Sequence, residues 1–436
     1  MAPTRHRTAL ATARKAAGYT QESLAAALYV DRSTVIRWEA GQYSPVPYLW
    51  PKLARLLGVT REKLIELFEN REVSHHHALA SALNFLGGVP DVNRRDLLRL
   101  LGVASAEATM LTSLNPDDQA RVALAANTPS RVDDLTIQHV ESMLHTAMHQ
   151  DDAFGPQAVL GTVMAQRTLV ANLLTDCPNT LRPRLLRLHS NMSRFAGWLT
   201  FDLTDYDAST RFYEESRDAA HEAEDTDLSV FVLCNMSHLA TWQGHPRTGI
   251  DHAIAAQNWA NATEDALLRA YTADVAARAY AGIGNTHACL TALDTAATGL
   301  TDATPQTPAT SYAYFYGRSQ FEATRSLCLL QLGNLTQAEQ AARESLAHLD
   351  GSFVRNQAFT TIYLSNAHLA AGNLDQAAAA LSDSIALAAR NRSARLTQTI
   401  TRSRTAMNPW QNTTAVRELD ATLNSFRLLP SSTASN

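Results

Sequence analysis

TQESLAAALYVDRSTVIRWEAG, residues 20–41, reads as two short helices with almost nothing between them. Leu24, Ala25 and Leu28 share one face of the first at helical spacing, and Val35, Ile36 and Trp38 give the second its apolar side. Thr20 stands at the N-cap position with Glu22 and Ser23 just inside, Asp31 caps the second helix, and Gly41 marks its end. Only Tyr29 and Val30 remain as a turn, too few for anything except two helices crossing steeply, which is a helix-turn-helix. Its second helix carries a polar outer face of Arg32, Ser33 and Arg37.

Around this pair the pattern stays helical. Residues 4–17 predict a first helix with Leu10, Ala13 and Ala17 turned inward and Gly18 at its end. After the turn-rich QYSPVP, Tyr48 to Leu57 predicts a fourth helix with Leu49, Leu53, Leu56 and Leu57 as its stripe, and Thr60 to Phe68 a fifth, capped by Thr60.

Over residues 5–70 the chain resembles the Cro/C1-type, or XRE-type, DNA-binding domain, on Gln21, Val30, Ser33-Thr34, Trp38-Glu39 and Gly41 at the family's spacing. The resemblance implies a five-helix domain. It implies that Arg32, Ser33 and Arg37 reach base edges in the major groove, where an arginine can donate two hydrogen bonds to guanine. Gln21 then matches a position that clamps a phosphate and orients the reading helix, with Thr34, Gln42 and Tyr43 assisting on the backbone. Arg14 and Glu39 match a salt bridge inside the fold, and Trp38, on the inward face, reads as core.

Charge is divided along the chain in the same sense. Residues 1–73 hold 11 Lys+Arg against 7 Asp+Glu, a net of +4, while the rest hold 26 against 35, a net of −9, within an overall −5. The basic end is the DNA-reading end, as phosphate binding requires, and a dimer would double the attraction. Arginine outnumbers lysine 34 to 3, a bias read as codon usage rather than function. Cys177, Cys234, Cys289 and Cys328 lie scattered in apolar helical segments with no paired or metal-ligand spacing, and read as reduced core residues. No apolar run reaches the roughly 18 residues that span a bilayer. The segment Asn93-Arg94-Arg95-Asp96-Leu97-Leu98 looks like a twin-arginine export signal but stands after a whole domain, and reads as an amphipathic linker helix.

Residues 71–134 read as a helical linker; adjacent His75, His76 and His77 cannot converge on one ion, so no metal is expected. From Leu135 the pattern is helical throughout, with turns at Thr204-Asp205-Tyr206, Gly244-His245-Pro246, Gly284-Asn285-Thr286, Gly333-Asn334-Leu335 and Gly372-Asn373-Leu374, at steps of 40, 40, 49 and 39 residues. Each turn precedes a helix bearing a small residue: Ala208, Gly249, Ala288, Ala338 and Ala377. The long step holds the insertion TDATPQTPATS at 301–311.

QLGNLTQAEQAARESL and AAGNLDQAAAALSDSI resemble tetratricopeptide repeats, although the period exceeds the family's 34. With the echo of Asn191–Trp198 in Asn235–Trp242, the whole resembles actinobacterial regulators that join an XRE-type domain to a tetratricopeptide-like sensor. The expected fold is all-α: a DNA-binding domain over 1–70, the linker, an α-solenoid of helical hairpins over 135–428 and a disordered tail over 429–436. Stacked hairpins bury a continuous core and leave a concave wall.

On that wall the repeat register places Asn191, Arg194, Trp198, Asn235, His238, Tyr271, Asp274, Arg278 and Asn366 as ligand-groove candidates, unless they serve packing between repeats. Amide, guanidinium and aromatic groups in one concavity suit an extended peptide or a small molecule. Nothing in the chain has the pattern of a catalytic site or a cofactor loop, Gly282-Ile283-Gly284-Asn285 being a repeat turn with no strand before it. No enzyme activity and no cofactor are expected. Two readings remain: a dimeric, sequence-specific transcriptional regulator on a two-fold operator, cytoplasmic and nucleoid-associated, with a sensor domain; or a protein interaction adaptor tethered to DNA. Which segment dimerises is left open between linker and repeats.

Overall fold

A computed structural model describes residues 8–28, 30, 32–39, 50–59, 116–303, 311–351 and 353–426, and every regular element among them is helical. Asp31, Gly41, Gln42, Tyr43, the expected fifth helix, the histidine tract and the twin-arginine-like segment lie outside the described residues. The chain divides into two compact units, Met1–Arg94 and Arg95–Asn436.

The first unit contains α1 (Thr8–Ala16), α2 (Gln21–Leu28), α3 (Arg32–Glu39) and α4 (Trp50–Leu57). Thr20 and Ser23 cap α2 reciprocally: the Ser23 amide donates to Thr20 Oγ1 at 3.0 Å and the Thr20 amide donates to Ser23 Oγ at 2.8 Å. This is the capping-box arrangement with serine in the place of the usual acid or amide. Leu10, Leu24, Ala25, Leu28, Val35, Trp38, Leu53 and Leu57 form one core, with Ala17 and Leu56 packed half-buried against it. One expectation fails. Ile36 is 40% exposed, because α3 is held by Val35 and Trp38, and the residue between them in sequence points outward beside Arg37.

The second unit opens with α5 (Pro116–Asn127), α6 (Asp134–Phe154) and α7 (Leu160–Leu173). Val122, Ala125 and Val132 lie in the same core as Ile137 and Val140, so this stretch, expected at the end of the linker, packs with the array. Five helical hairpins follow: α8 (Arg182–Asp202) with α9 (Tyr206–Glu222), α10 (Thr226–Trp242) with α11 (Pro246–Ala260), α12 (Ala266–Gly282) with α13 (Thr286–Asp302), α14 (Arg318–Gln331) with α15 (Leu335–His348), and α16 (Val354–Ala370) with α17 (Leu374–Asn391). Two more helices, α18 (Ala394–Ala406) and α19 (Thr414–Ser425), complete it.

Each hairpin turns in the same way. The amides of Asp205, His245, Asn285, Asn334 and Asn373 donate to carbonyls five residues back, at 2.9 to 3.0 Å. That bond requires a left-handed residue just before, and Gly244, Gly284, Gly333 and Gly372 supply it with φ of 70 to 83°. Thr204 takes the same conformation at φ 67° without a glycine's freedom. Asp205 and Asn285 then cap the next helix, each accepting from an amide three residues on at 3.1 Å.

A second repeated bond locks the hairpins sideways. Ser237, Ser326 and Ser365 donate across to the carbonyls of Gly249, Ala338 and Ala377 at 2.6, 2.8 and 2.7 Å, and in the first hairpin Ser209 donates back to Gly197 at 2.8 Å. The small residue exists because the helices cross there. In the third hairpin the buried residue at that register is Cys289, five after Gly284, rather than the expected Ala288, which is half exposed.

The array also closes on itself. α8 meets α18, and α6 meets α16 and α17. Arg355 of α16 reaches Asp151 at 2.9 Å and Asp202 at 3.3 Å, and Arg395 of α18 pairs with Asp202 at 2.8 Å. Gly155 permits the approach of α6 to the end of α17, since a Cβ there would stand 1.6 Å from the Asn391 carbonyl oxygen. Its φ of +85° and ψ of 178° also lie in a region that only glycine occupies readily.

Candidate functional site

The reading helix is held from behind at one residue. Glu39, 7% exposed, accepts from Arg14 Nε at 2.6 Å and Nη2 at 3.3 Å, and from Gln21 Nε2 at 2.7 Å. One carboxylate on α3 therefore ties in α1 and the start of α2, while Arg14 Nη1 donates to the Tyr19 carbonyl at 2.8 Å. The opposite face of α3 presents Arg32, Ser33, Ile36 and Arg37 to solvent, with Thr34 half-buried at its flank. The Gln21 amide nitrogen is engaged with Glu39, an arrangement that orients α3 directly.

The second unit holds two adjoining pockets that share walls. The smaller, about 80 Å³, is lined by Arg194, Trp198, Asn235, His238, Tyr271 and Arg278 together with Asp151 and Arg355. The wider, about 610 Å³, has Trp198, His238 and Arg278 as walls too and adds Asn366, Leu327 and Phe359. Of the nine residues expected on the wall, seven therefore line these two pockets, which share Trp198, His238 and Arg278.

The other two do not. Asn191 lines a separate depression of about 310 Å³ with His145 and Tyr312, because it points to the α6 side of α8, where its Oδ1 accepts from Arg194 Nε at 3.0 Å. Asp274 lies wholly buried between α12 and α14, accepting from Arg278 Nε at 3.3 Å, Thr324 Oγ1 at 3.0 Å and the Tyr316 hydroxyl at 3.4 Å. It positions Arg278 rather than lining either pocket. Asn235 also departs from expectation: its amide nitrogen donates to the Phe231 carbonyl at 2.7 Å, which leaves less of it for a ligand backbone.

Electrostatics in this interior follow burial. Desolvation pushes the Asp151 carboxyl up to about 6, against the pull of Arg355, and Asp274 likewise to about 6, against Arg278. His238 is held well below the usual imidazole range by burial and by the Arg278 and Arg395 guanidinium groups, so it is neutral at pH 7. Arg395 sits among rings, with its guanidinium carbon 4.2 Å from the Phe201 centroid, 4.8 Å from Phe359, 5.0 Å from Trp242 and 5.1 Å from Trp198. Such contacts gain most where water is excluded. Among the described residues no group of His, Cys, Asp or Glu has metal-binding geometry, and no helix is long and apolar enough to cross a membrane.

Residues 10–64 match a family profile described as helix-turn-helix. An uncharacterized HTH-type transcriptional regulator of Methanothermobacter thermautotrophicus is 44% identical over 62 residues, which is 14% of this chain and 87% of that protein. The chain belongs to the Cro/C1-type helix-turn-helix regulators. In this regulator the matched region is the unit that carries Arg32, Ser33 and Arg37.

Among solved structures the regulator is similar to BtubC from P. vanneervenii, at 13% identity, covering 54% of this chain and 91% of that one with a TM-score of 0.39. It is also similar to a signal transduction ATPase with a tetratricopeptide repeat sensor from Pyrococcus horikoshii, at 12% identity, covering 88% and 58% with a TM-score of 0.37. Likenesses at that level say nothing of what the regulator's array binds.

Several wall residues escape the sequence reading: Asp151, Arg355, Gln320, Phe231, Phe359 and Arg395. A signal for some was present. Trp198, His238, Arg278, Leu327 and Asn366 each stand six residues before the turn residue, and Phe231, Tyr271, Gln320 and Phe359 stand thirteen before it. Two helical turns separate the two rows, so both face inward. Asp151 and Arg355 had no such signal, since they meet only through closure.

Proposed function

We propose that this regulator reads a two-fold DNA site through Arg32, Ser33 and Arg37 of α3 in each copy of a homodimer, under the control of a ligand held in its helical array. The observation that carries the reading is the two-sidedness of α3: Val35, Trp38 and Glu39 are buried and fix it, while Arg32, Ser33 and Arg37 stand in solvent. A rigid rod with an outward guanidinium pair suits the major groove, where arginine hydrogen-bonds to guanine. Gln21 and Thr34, with Gln42 and Tyr43, would meet the phosphate backbone, and half-sites would lie roughly 34 Å apart or at a multiple of it. Such a partner makes the protein cytoplasmic and nucleoid-associated.

The ligand, a peptide or a small molecule, would occupy the pockets walled by Trp198, His238 and Arg278. A volume of about 610 Å³ falls in the range of small-molecule sites. Only a ligand with different affinities for two arrangements of the array can shift DNA binding.

Selection from random duplexes tests the first part. A defined palindrome is expected, and Arg37→Ala should cost about 1 to 3 kcal/mol at that site and relax the preference at one base position. Binding smeared over all sequences would favour instead an adaptor merely tethered to DNA. For the second part, a cell extract should alter the DNA affinity of the native protein but not of Asn366→Trp, which crowds the wider pocket; equal responses would refute control through the pockets.

A further inference from the structure

The smaller pocket carries charge that its own walls leave unmatched, with opposite signs at two places. Arg194 is 3% exposed, yet its Nε donates only to the neutral amide of Asn191 and its Nη2 has no hydrogen-bond partner. Its guanidinium carbon lies 4.8 Å from the Phe231 centroid and 5.7 Å from Phe195, which keeps the group in the wall. In the same pocket wall, Asp151, 1% exposed, has Oδ2 on Arg355 at 2.9 Å and Oδ1 without a partner. Asp151, Asp152 and Asp202 all lean on the one Arg355, and only Asp202 has a second guanidinium, that of Arg395.

These two surpluses are neighbours. Both residues line the same cavity of about 80 Å³, and Tyr314, also in its wall, lies within electrostatic range of Arg194, Asp151, Asp152 and Arg355 together. Around the cavity Arg194, Arg278, Arg355 and Arg395 balance Asp151, Asp152, Asp202 and Asp274 in formal charge. A ligand bringing net charge would upset that balance where water is scarce, and an unmatched buried charge is costly. A dipolar ligand would not. Its cation belongs at Asp151 and its anion at Arg194.

The size of the compartment narrows the class. About 80 Å³ accommodates a head group of a few heavy atoms, with cation and anion on one short link. The wider pocket that shares its walls at Trp198, His238 and Arg278, about 610 Å³ and also walled by Leu327 and Phe359, accepts a bulky apolar substituent. A quaternary ammonium has no N–H for the free Asp151 oxygen, whereas a primary ammonium has three. We infer that the cavity binds a free α-amino acid with a large apolar side chain, its ammonium on Asp151 Oδ1 and its carboxylate on Arg194 Nη2. This rests on the reading of the array as the ligand-taking part of the regulator, and names the ligand's class.

The test uses the full chain in thermal melts and calorimetry against the twenty free amino acids, with L-tryptophan, L-phenylalanine and L-leucine foremost. At least one should raise the melting temperature in a saturable way, at one molecule per chain. For that amino acid, the amide, which lacks the carboxylate, and the N-acetyl form, which lacks the ammonium, should each bind at least tenfold more weakly. Arg194→Gln should bring the acid down to the affinity of its amide while leaving the amide unchanged. The capped pair needs no variant, so a folding failure of Arg194→Gln does not spoil the result. Capped forms binding as tightly as the free amino acid, or no response to any of the twenty, would overturn the inference. If an extract still shifts DNA affinity in the native protein alone while no amino acid binds, the sensor stands and the amino acid falls.

Discussion

Replacing Arg355 by methionine should destabilise the second unit by an amount that depends on pH. Arg355 is 4% exposed, and its guanidinium is shared by Asp151 at 2.9 Å, Asp202 at 3.3 Å and Asp152 at 3.5 Å. Removing one partner of a buried ion pair costs about 3 to 5 kcal/mol, because the charge left behind is neither solvated nor paired. Methionine keeps most of the aliphatic volume beside Trp198, whose ring centroid is 5.3 Å from the Arg355 guanidinium carbon, so lost packing is a minor part. Arg355 is what holds the Asp151 carboxyl down against desolvation and its two acidic neighbours. Without it the carboxyl rises further above 6 and takes up a proton near neutral pH, which relieves part of the loss. The destabilisation should therefore be greatest near pH 8 and shrink toward pH 5. Urea unfolding of the native and substituted proteins, followed by tryptophan fluorescence at several pH values, measures this. A loss under about 1 kcal/mol, the scale of an exposed ion pair, or one independent of pH, would refute the account of the closure as a buried, charge-coupled contact.

Further outcomes follow from the same reasoning. Glu39→Ala leaves Arg14 buried and unpaired and frees Gln21, so the first unit should lose about 3 to 5 kcal/mol and operator binding should fall although the DNA-facing residues are unchanged; a retained melting temperature would argue against it. Gly155→Ala combines backbone strain of about 1 to 3 kcal/mol with a clash on the Asn391 carbonyl, and should expose the α6–α17 contact to faster hydrogen exchange, whereas native-like protection there would count against the closure. Asp274 has its folded carboxyl raised to about 6 from 3.8, so its contribution to stability is fully present below about 3.8 and is lost as pH rises through 6. Asp274→Asn should remove from the stability–pH curve a component on the order of 2 to 3 kcal/mol across that window, by calorimetry at pH 4 and pH 7; an unchanged slope would contradict it.

The DNA-binding head was legible because its signals are local. The Thr20 cap, a short connection and a helical stripe over residues 20–39 fix α2 and α3, and residues in the same stretch carry the family resemblance. Even there Ile36 misled, since helical spacing cannot say which of two adjacent apolar residues a short helix will bury. The hairpins were legible for a related reason: a left-handed residue before the next helix is a local requirement, and a glycine marks it at four of the five turns. The inner wall was half legible. The register found Trp198, His238 and Arg278, yet it placed Asn191 and Asp274 on the wall although α8 and α12 turn them toward neighbouring helices. Closure was not legible at all. Asp151 and Arg355 are separated by 204 positions, and no periodicity along the chain couples them.

An open stack of repeats can gain or lose a member at little risk, since each touches only those beside it. Here the two ends grip each other through Asp202, Arg355 and Arg395. Inserting or excising one hairpin would carry that grip past its counterpart and strand buried ions at both ends. The number of repeats is thus locked by electrostatics, and variation in length can be tolerated only in segments that leave the circuit intact.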